Sequence, residues 1–272
     1  MYVMLVLAQI SDLHLDGTAR ATERAERVLD HLRALPGPLD ALLVTGDIAD
    51  HGEEAEYKEA ARLLFTDAPW PVLTCPGNHD VRGPFRTALL GESEPAPSGA
   101  AASGAASSGT AASGAAINRA HRVGGAEILM LDSSLPGSDE GLLDEETYAW
   151  LEEQLARLAR LGDDVPVLLS FHHHPVRMHH PRLDTWRLRA PEPLAALVER
   201  HPEIVGLIIG HAHTPAATTF AGRPLIVGPG VVSTLRLPWE GEGLVDLESP
   251  AGLAFHVLDD ERRLTTHFRV VT

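Results

Sequence analysis

Five apolar runs of strand length each lead into a short motif of aspartate, histidine or asparagine, and this coupling constrains the chain more than any other feature. The runs span 3–10, 41–45, 71–75, 165–171 and 204–209. The motifs that follow are Asp12-Leu13-His14, Gly46-Asp47, Gly77-Asn78-His79-Asp80, His172-His173-His174-Pro175 and Gly210-His211-Ala212-His213. Short Val, Leu and Ile runs bounded by Gly, Pro, Asn or Asp read as buried strands, and a sixth such run lies at 128–131. Helical patterns at about 22–35, 53–65, 144–161 and 193–199 lie between several of them. The third shows its logic: Asp144 can cap it, Glu145 and Glu146 favour its positive end, Arg157 and Arg160 its negative end, and Gly162 stops it. Alternating strands and helices predict a layered α/β architecture, in which loops at strand ends converge on one point.

The rest of the chain fits one domain over its 272 residues. A stretch at 93–116 is almost wholly Ala, Ser, Gly and Pro and has no large apolar residue. Such composition predicts a flexible surface insertion, with one site built from both sides of it. From about residue 223 the pattern becomes β-rich, with candidates at 223–227, 231–235, 253–258 and 264–271, and is expected to complete a second sheet. The lone Cys75 can form no internal disulfide and reads as a small buried strand residue.

Twenty-two basic against 38 acidic residues give a formal charge of −16, an average field that repels long nucleic acids and anionic membranes. A metal cluster can reverse the potential inside one pocket, so a small anionic substrate is compatible with that charge. The apolar start has neither a basic leader region nor a small-residue cleavage site, and no run reaches the length of a membrane span. The expectation is a cytoplasmic protein.

Aspartate, histidine and asparagine supply oxygen and imidazole donors, a set that suits Mn, Fe, Zn or Co better than thiophilic ions. In Asp12-Leu13-His14 and His211-Ala212-His213 the spacing of two would place both donors on one face of an extended backbone.

With these motifs in this order, the sequence resembles the calcineurin-like metallophosphoesterase superfamily, from Gln9 to about Gly230. Ile10-Ser11-Asp12-Leu13-His14, Gly-Asn-His-Asp, His-His-Pro and Leu131-Asp132-Ser133-Ser134 look most like bacterial class III cyclic nucleotide phosphodiesterases. The resemblance implies a four-layer α/β/β/α sandwich of two mixed sheets flanked by helices. It further implies two transition-metal ions, with iron and manganese favoured. One ion would be held by Asp12, His14, Asp47 and His213, the other by Asp47, Asn78, His173 and His211, with Asp47 as the bridge. His173 is preferred because the family places its ligand two positions before the proline; His172 is the runner-up. A hydroxide between the ions would attack phosphorus in line. Asn78 and His79 would contact the phosphate, His79 would protonate the leaving oxygen, and Asp80 would orient His79.

The implied activity is hydrolysis of small phosphodiesters, cyclic nucleotides of the 3′,5′ or 2′,3′ type above others, and a homodimer is compatible with it. The alternatives are a phosphomonoesterase or nucleotide pyrophosphatase of the same superfamily, and, from another class, an inert metal-binding regulator. Gly46-Asp47-Ile48-Ala49-Asp50 lacks the Asp-Arg-Gly ending of phosphoprotein phosphatases. The histidines at 51, 121, 179, 180, 201, 256 and 267 read as solvated, with His179, His180, Arg82 and Arg177 as weaker candidates for substrate contact.

Overall fold

A computed structural model of the chain describes residues 5–92, 114–162 and 164–272. The insertion expected at 93–116 therefore lies outside the described residues, apart from its last three. In chain order the elements are β1 (Leu5–Ile10), α1 (Ala19–Arg33), β2 (Ala41–Thr45), α2 (Glu54–Phe65), β3 (Val72–Cys75), α3 (Arg82–Leu89), β4 (Arg119–Val123) and β5 (Ala126–Met130). There follow α4 (Glu145–Leu161), β6 (Val167–Phe171), a short 3-10 helix (Leu183–Thr185), α5 (Glu192–Arg200), β7 (Ile204–Ile209), β8 (Ala216–Phe220) and β9 (Arg223–Val227). The chain ends with β10 (Thr234–Leu235), β11 (Val245–Asp246), β12 (Ala251–Leu258) and β13 (Leu264–Val271).

One sheet has the order β13-β12-β1-β2-β3 and the other β4-β5-β6-β7-β9-β8. Both are mixed. The motif-bearing strands β1, β2 and β3 run parallel, as do β6 and β7, whereas β12, β13, β4 and β8 join antiparallel.

Burial explains why these strands read as continuous apolar runs. In β2, Ala41 and Leu43 enter a core shared by both sheets, while Leu42 and Val44 enter one shared with α1 and α2. In β5, Ala126, Ile128 and Met130 face the shared core, while Leu129 packs with residues of α4 and α5. A strand covered on both faces needs apolar side chains at every position. Three apolar layers thus separate helices, sheet, sheet and helices, which is the α/β/β/α sandwich.

Helix α4 follows its sequence signals: Asp144 accepts a hydrogen bond from the Thr147 amide at 2.8 Å, and Gly162 ends the helix at φ 67°. Besides the 3-10 helix and β11, three elements were not anticipated. Helix α3 carries Gly83 and Pro84 in its first turn, where proline is tolerated but periodicity is masked. Strands β4 and β8 are edges with exposed polar positions, so neither shows an apolar run.

The C-terminal expectation needs correction. The tail does not complete one sheet: β9 joins the six-stranded sheet, and β12 and β13 join β1 in the other. Residues 231–235 contribute only the short β10, paired with β11 in a two-stranded ribbon. Among the described residues no helix is long and apolar enough to cross a membrane.

The two sheets are also joined by a polar clamp at Gln9. Its side-chain nitrogen donates to Thr45 Oγ1 and to the Ile209 carbonyl, each at 2.8 Å, so β1 and β2 are tied to β7 of the other sheet. Its side-chain oxygen lies 3.1 Å from His256 Nε2. Because that oxygen only accepts, His256 carries its proton on Nε2, and Nδ1 accepts from Thr266 Oγ1 at 2.8 Å. His256 is therefore fully buried and fully paired as the neutral ring, not solvated as its isolated position suggested.

Burial depresses the His256 pKa to about 3. An unfolded histidine titrates near 6.5, so between about pH 6.5 and 3 the unfolded chain binds a proton that the folded chain refuses. This contribution to stability is complete above the unfolded value and falls by up to about 1.4 kcal/mol per pH unit as the pH drops through that window. Urea unfolding between pH 6 and 4 should show a shallower loss for His256→Gln than for the parent; equal slopes would exclude a role for this ring.

Candidate metal centre

The motif residues gather because the loops after β1 and β2 continue to pair beyond the strands. The amides of Asp12, His14 and Leu15 donate to the carbonyls of Gly46, Asp47 and Ile48 at 3.1, 2.9 and 3.0 Å. The backbone is not extended there, contrary to expectation. Asp12, His14, Asp47, His211 and His213 have φ values of 56°, 42°, 49°, 69° and 52°. Alternating left-handed residues, not strand pleating, present the paired donors, while Leu13 and Ala212 between them are buried in the two helix-side cores. Asp and His are among the residues that tolerate this region.

Two motif glycines are explained by contact. A Cβ on Gly77 would lie 2.2 Å from Asp47 Oδ1, and one on Gly210 would lie 2.0 Å from Ser11 Oγ. Any side chain at either position would push the loops apart.

Two donor groups result. In the first, His14 Nε2 and His213 Nε2 are 3.2 Å apart, and Asp12 Oδ1 is 3.4 Å from His213 Nε2. In the second, His172 Nε2 lies 3.1 Å from Asn78 Oδ1 and 3.1 Å from His211 Nδ1. Asp47 stands between them, with Oδ2 at 3.6 Å from His14 Nε2 and 3.2 Å from His172 Nε2.

This geometry favours His172 over His173 as the donor from the triple histidine. His172 Nδ1 donates to the Thr45 carbonyl at 2.8 Å, which directs Nε2 at Asp47, Asn78 and His211, the edge that would become a ligand once a cation displaces its proton. His173 instead has Nδ1 2.8 Å from Ser133 Oγ. The preference for His173 rested on distance from the proline, whereas the side chain's position is set by where β6 ends at Phe171. His173 Nε2 stays close enough to His172 and His211 for the three to form a candidate donor group, and it has no hydrogen-bond partner.

Asp80 also departs from its expected role. Its carboxylate accepts from the amides of Gly77, Ala49 and Ile48 at 2.9, 3.1 and 3.2 Å and from Tyr57 Oη at 3.1 Å, so it ties the Gly-Asp loop to the Gly-Asn-His-Asp loop. Burial and the nearby Asp47 raise its pKa to about 6. The residue that holds His79 is Asp50, whose carbonyl accepts from His79 Nδ1 at 2.8 Å. The Asp50 carboxylate also accepts from His14 Nδ1 at 2.8 Å. Sequence reasoning missed Asp50; its place three residues after Asp47 in the same loop was the available signal.

Two of the weaker candidates, Arg82 and His180, take structural roles. Arg82 is paired with Asp132 at 2.7 Å and donates to the Gly114 and Ser134 carbonyls. His180 Nδ1 accepts from the amides of Arg182 and Leu183 at 3.1 and 3.2 Å, which caps the turn into the 3-10 helix.

The donor set fits cations. Asp12 has no exposure, yet neither carboxylate oxygen accepts a hydrogen bond, and His211 Nε2 is likewise unpartnered. Burial holds the His211 and His213 pKa values below the ordinary imidazole range, so both rings offer neutral lone pairs. His172 goes the other way: burial alone would depress it, but Asp47, Asp12 and the Thr45 carbonyl outweigh that and raise it to about 9. Without ions, a proton on His172 offsets the buried carboxylates, and cations at the donor groups would displace it.

Residues 5–215 match the model of the calcineurin-like phosphoesterase family. Among curated proteins, the chain is 30% identical over 246 residues to a cAMP/cGMP dual specificity phosphodiesterase of Mycobacterium tuberculosis, covering 85% of this chain and 69% of that one. It is 30% identical to a glycerophosphodiester phosphodiesterase of Enterobacter lignolyticus, covering 84% and 78%. It is 27% identical to a 3′,5′-cyclic adenosine monophosphate phosphodiesterase of Pseudomonas aeruginosa, covering 96% and 88%. Among solved structures, a dimetal phosphatase from Danio rerio superposes with a TM-score of 0.61 at 13% identity, covering 98% and 99% of the two chains. Purple acid phosphatase PPD1 of yellow lupin gives a TM-score of 0.67 at 13% identity, and this chain covers 52% of its length. These two likenesses concern the fold alone. The chain belongs to the calcineurin-like phosphoesterase family and is a metal-dependent phosphoric ester hydrolase.

Proposed function

We propose that the chain is a binuclear phosphodiesterase that hydrolyses small cyclic nucleotides. The observation that carries this reading is the position of Asp47 between the two donor groups, because its Oδ2 faces a ring of each group and one carboxylate oxygen has lone pairs enough to serve both. Asp12, His14, Asp47 and His213 would hold one ion, and Asp47, Asn78, His172 and His211 the other. Bound there, the ions supply Lewis acidity toward the phosphoryl oxygens and lower the pKa of water. The names of the Mycobacterium and Pseudomonas relatives support a cyclic nucleotide as substrate, and the Enterobacter relative supports a diester more broadly.

The chain's own residues account for the proton. His79 is partly exposed at the cleft, with its side chain 38% accessible, and its Nδ1–H is committed to the Asp50 carbonyl. Nε2 is then the atom that carries a proton to the departing ester oxygen. As water adds at phosphorus and the ester P–O bond breaks, that oxygen leaves as an alcohol and the other ester link remains. The His79 amide also donates to Asp47 Oδ1 at 2.9 Å, so the acid and the bridging carboxylate are held in one register.

Three measurements test this reading. Comparing 3′,5′-cyclic, 2′,3′-cyclic, linear diester and monoester substrates on Mn²⁺-loaded protein should give the highest kcat/KM for a cyclic nucleotide. A preference for monoesters would reject it. In metal analysis of purified variants, His172→Ala should lose about half of the bound metal and His173→Ala should keep most of it. The reverse pattern would return the ligand role to His173. His79→Ala should retain metal and lose about 100-fold or more in kcat on alkyl esters, with a smaller loss on p-nitrophenyl esters, whose leaving group needs no proton. Equal losses on both would show that His79 is not the acid.

A further inference from the structure

The donor groups form only the floor of a cleft of about 720 Å³, a volume typical of small-molecule sites. A phosphoryl group has one place in it, against His14, Asp47, Asn78, His79, His211 and His213. The rest of the lining is of a different chemistry. Trp186, which follows the 3-10 helix, faces the cleft together with Val232, Leu235, Leu244, Val245 and Leu247 from the β10–β11 ribbon and its flanks.

Charge in the cleft reinforces this division. Besides Asp47, the lining carboxylates are Asp16, Asp50 and Asp139, and the one arginine among the described lining residues is Arg20. Arg20 donates to the Val232 carbonyl at 3.0 Å and to the Leu247 carbonyl at 2.5 Å, so it holds the apolar wall itself. A second anionic group on the substrate would meet carboxylates and leucines there.

The wall is also fixed in advance. Arg24 donates to the carbonyls of Val231 and Ser249 at 2.8 and 2.7 Å, which ties both ends of the ribbon segment to α1. Across the ribbon, the Arg236 amide donates to the Leu244 carbonyl at 2.8 Å, and the Arg236 side chain pairs with Asp246 at 3.0 Å. Trp186 has the Arg182 guanidinium 5.5 Å from its ring centroid and stands edge to face with His211 at 6.4 Å. Half-buried apolar groups held by such anchors gain by covering a flat apolar partner and lose little entropy in doing so.

Building on the phosphodiesterase reading, we propose that this cleft selects monoanionic phosphodiesters whose organic part presents a flat, unsaturated face to the wall, with Trp186 and Leu244 as the residues that discriminate it. They are specificity residues, on separate elements and outside the donor groups.

The test is direct binding, independent of turnover. Diphenylphosphinate and diethylphosphinate are both monoanions with non-hydrolysable P–C bonds, and their Kd values can be measured by calorimetry on Mn²⁺-loaded protein. The parent should bind the diphenyl compound at least about tenfold more tightly. Trp186→Ala and Leu244→Ala should each bring the ratio to within about threefold while leaving diethylphosphinate binding within about twofold, which also reports an intact fold and metal content. Equal affinities in the parent, or an unchanged ratio in both variants, would overturn the proposal and leave the phosphodiesterase reading standing. If neither phosphinate binds, the phosphoryl site itself fails, and both readings fall together.

Discussion

Two carboxylates held away from water set the terms for this fold. Asp12 has no exposure and Asp47 2%; of the rings around them burial keeps His211 and His213 neutral, whereas nearby carboxylates overcome burial and raise the pKa of His14 and His172. An uncompensated buried charge costs more than any single hydrogen bond returns, so cations or a protonated His172 must accompany the pair. The imidazoles are prepared for cations. His14 is tied through Nδ1 to Asp50, His172 through Nδ1 to the Thr45 carbonyl, and His213 through Nδ1 to Ser233. A ring whose far nitrogen is engaged keeps its tautomer and its orientation, and the near nitrogen is left to donate a lone pair.

The backbone contributes as much as the side chains. Left-handed conformations at non-glycine residues cost up to about 1 to 3 kcal/mol each and persist only where surrounding structure over-determines them. Here the over-determination is visible in the ladder from Asp12 to Leu15 against Gly46 to Ile48, and in Asp80, which gathers three amides from two loops. Asp80 therefore serves the site by fixing the loops. That the carboxylate beside His79 in sequence turns inward, while the Asp50 carbonyl holds His79, follows from these three amides: a buried N–H needs an acceptor, and Asp80 supplies it.

What the sequence made legible was whatever depends on local chemistry. Apolar runs marked the motif strands, Asp144 and Gly162 marked the ends of α4, and five polar motifs marked where the loops meet. What it concealed depends on the third dimension. The reading that favours His172 over His173 rests on where β6 ends and which ring nitrogen the Thr45 carbonyl engages, and three adjacent histidines carry no mark of that. His256 looked like any surface histidine because its partners, Gln9 and Thr266, lie on neighbouring strands. The tail's division between two sheets was equally hidden, since an antiparallel strand can pair with any free edge.

The two sheets do not merely support the centre; each supplies half of it. Asp12, His14, Asp47 and Asn78 follow strands of the five-stranded sheet, and His172, His211 and His213 follow strands of the other. The distance between the halves is set by the shared apolar core, with Leu43 and Ile128 among its members, and by the Gln9 clamp, which bonds to Ile209 just before the Gly-His-Ala-His turn. Close-packed interiors transmit changes of a methylene or more. A core substitution between the sheets would thus alter the spacing of the donor groups as well as stability. Gln9 lies on this route twice, since the Thr45 hydroxyl it bonds belongs to the residue whose carbonyl orients His172. The packing that holds the sandwich together is the same packing that fixes where the two donor groups meet at Asp47.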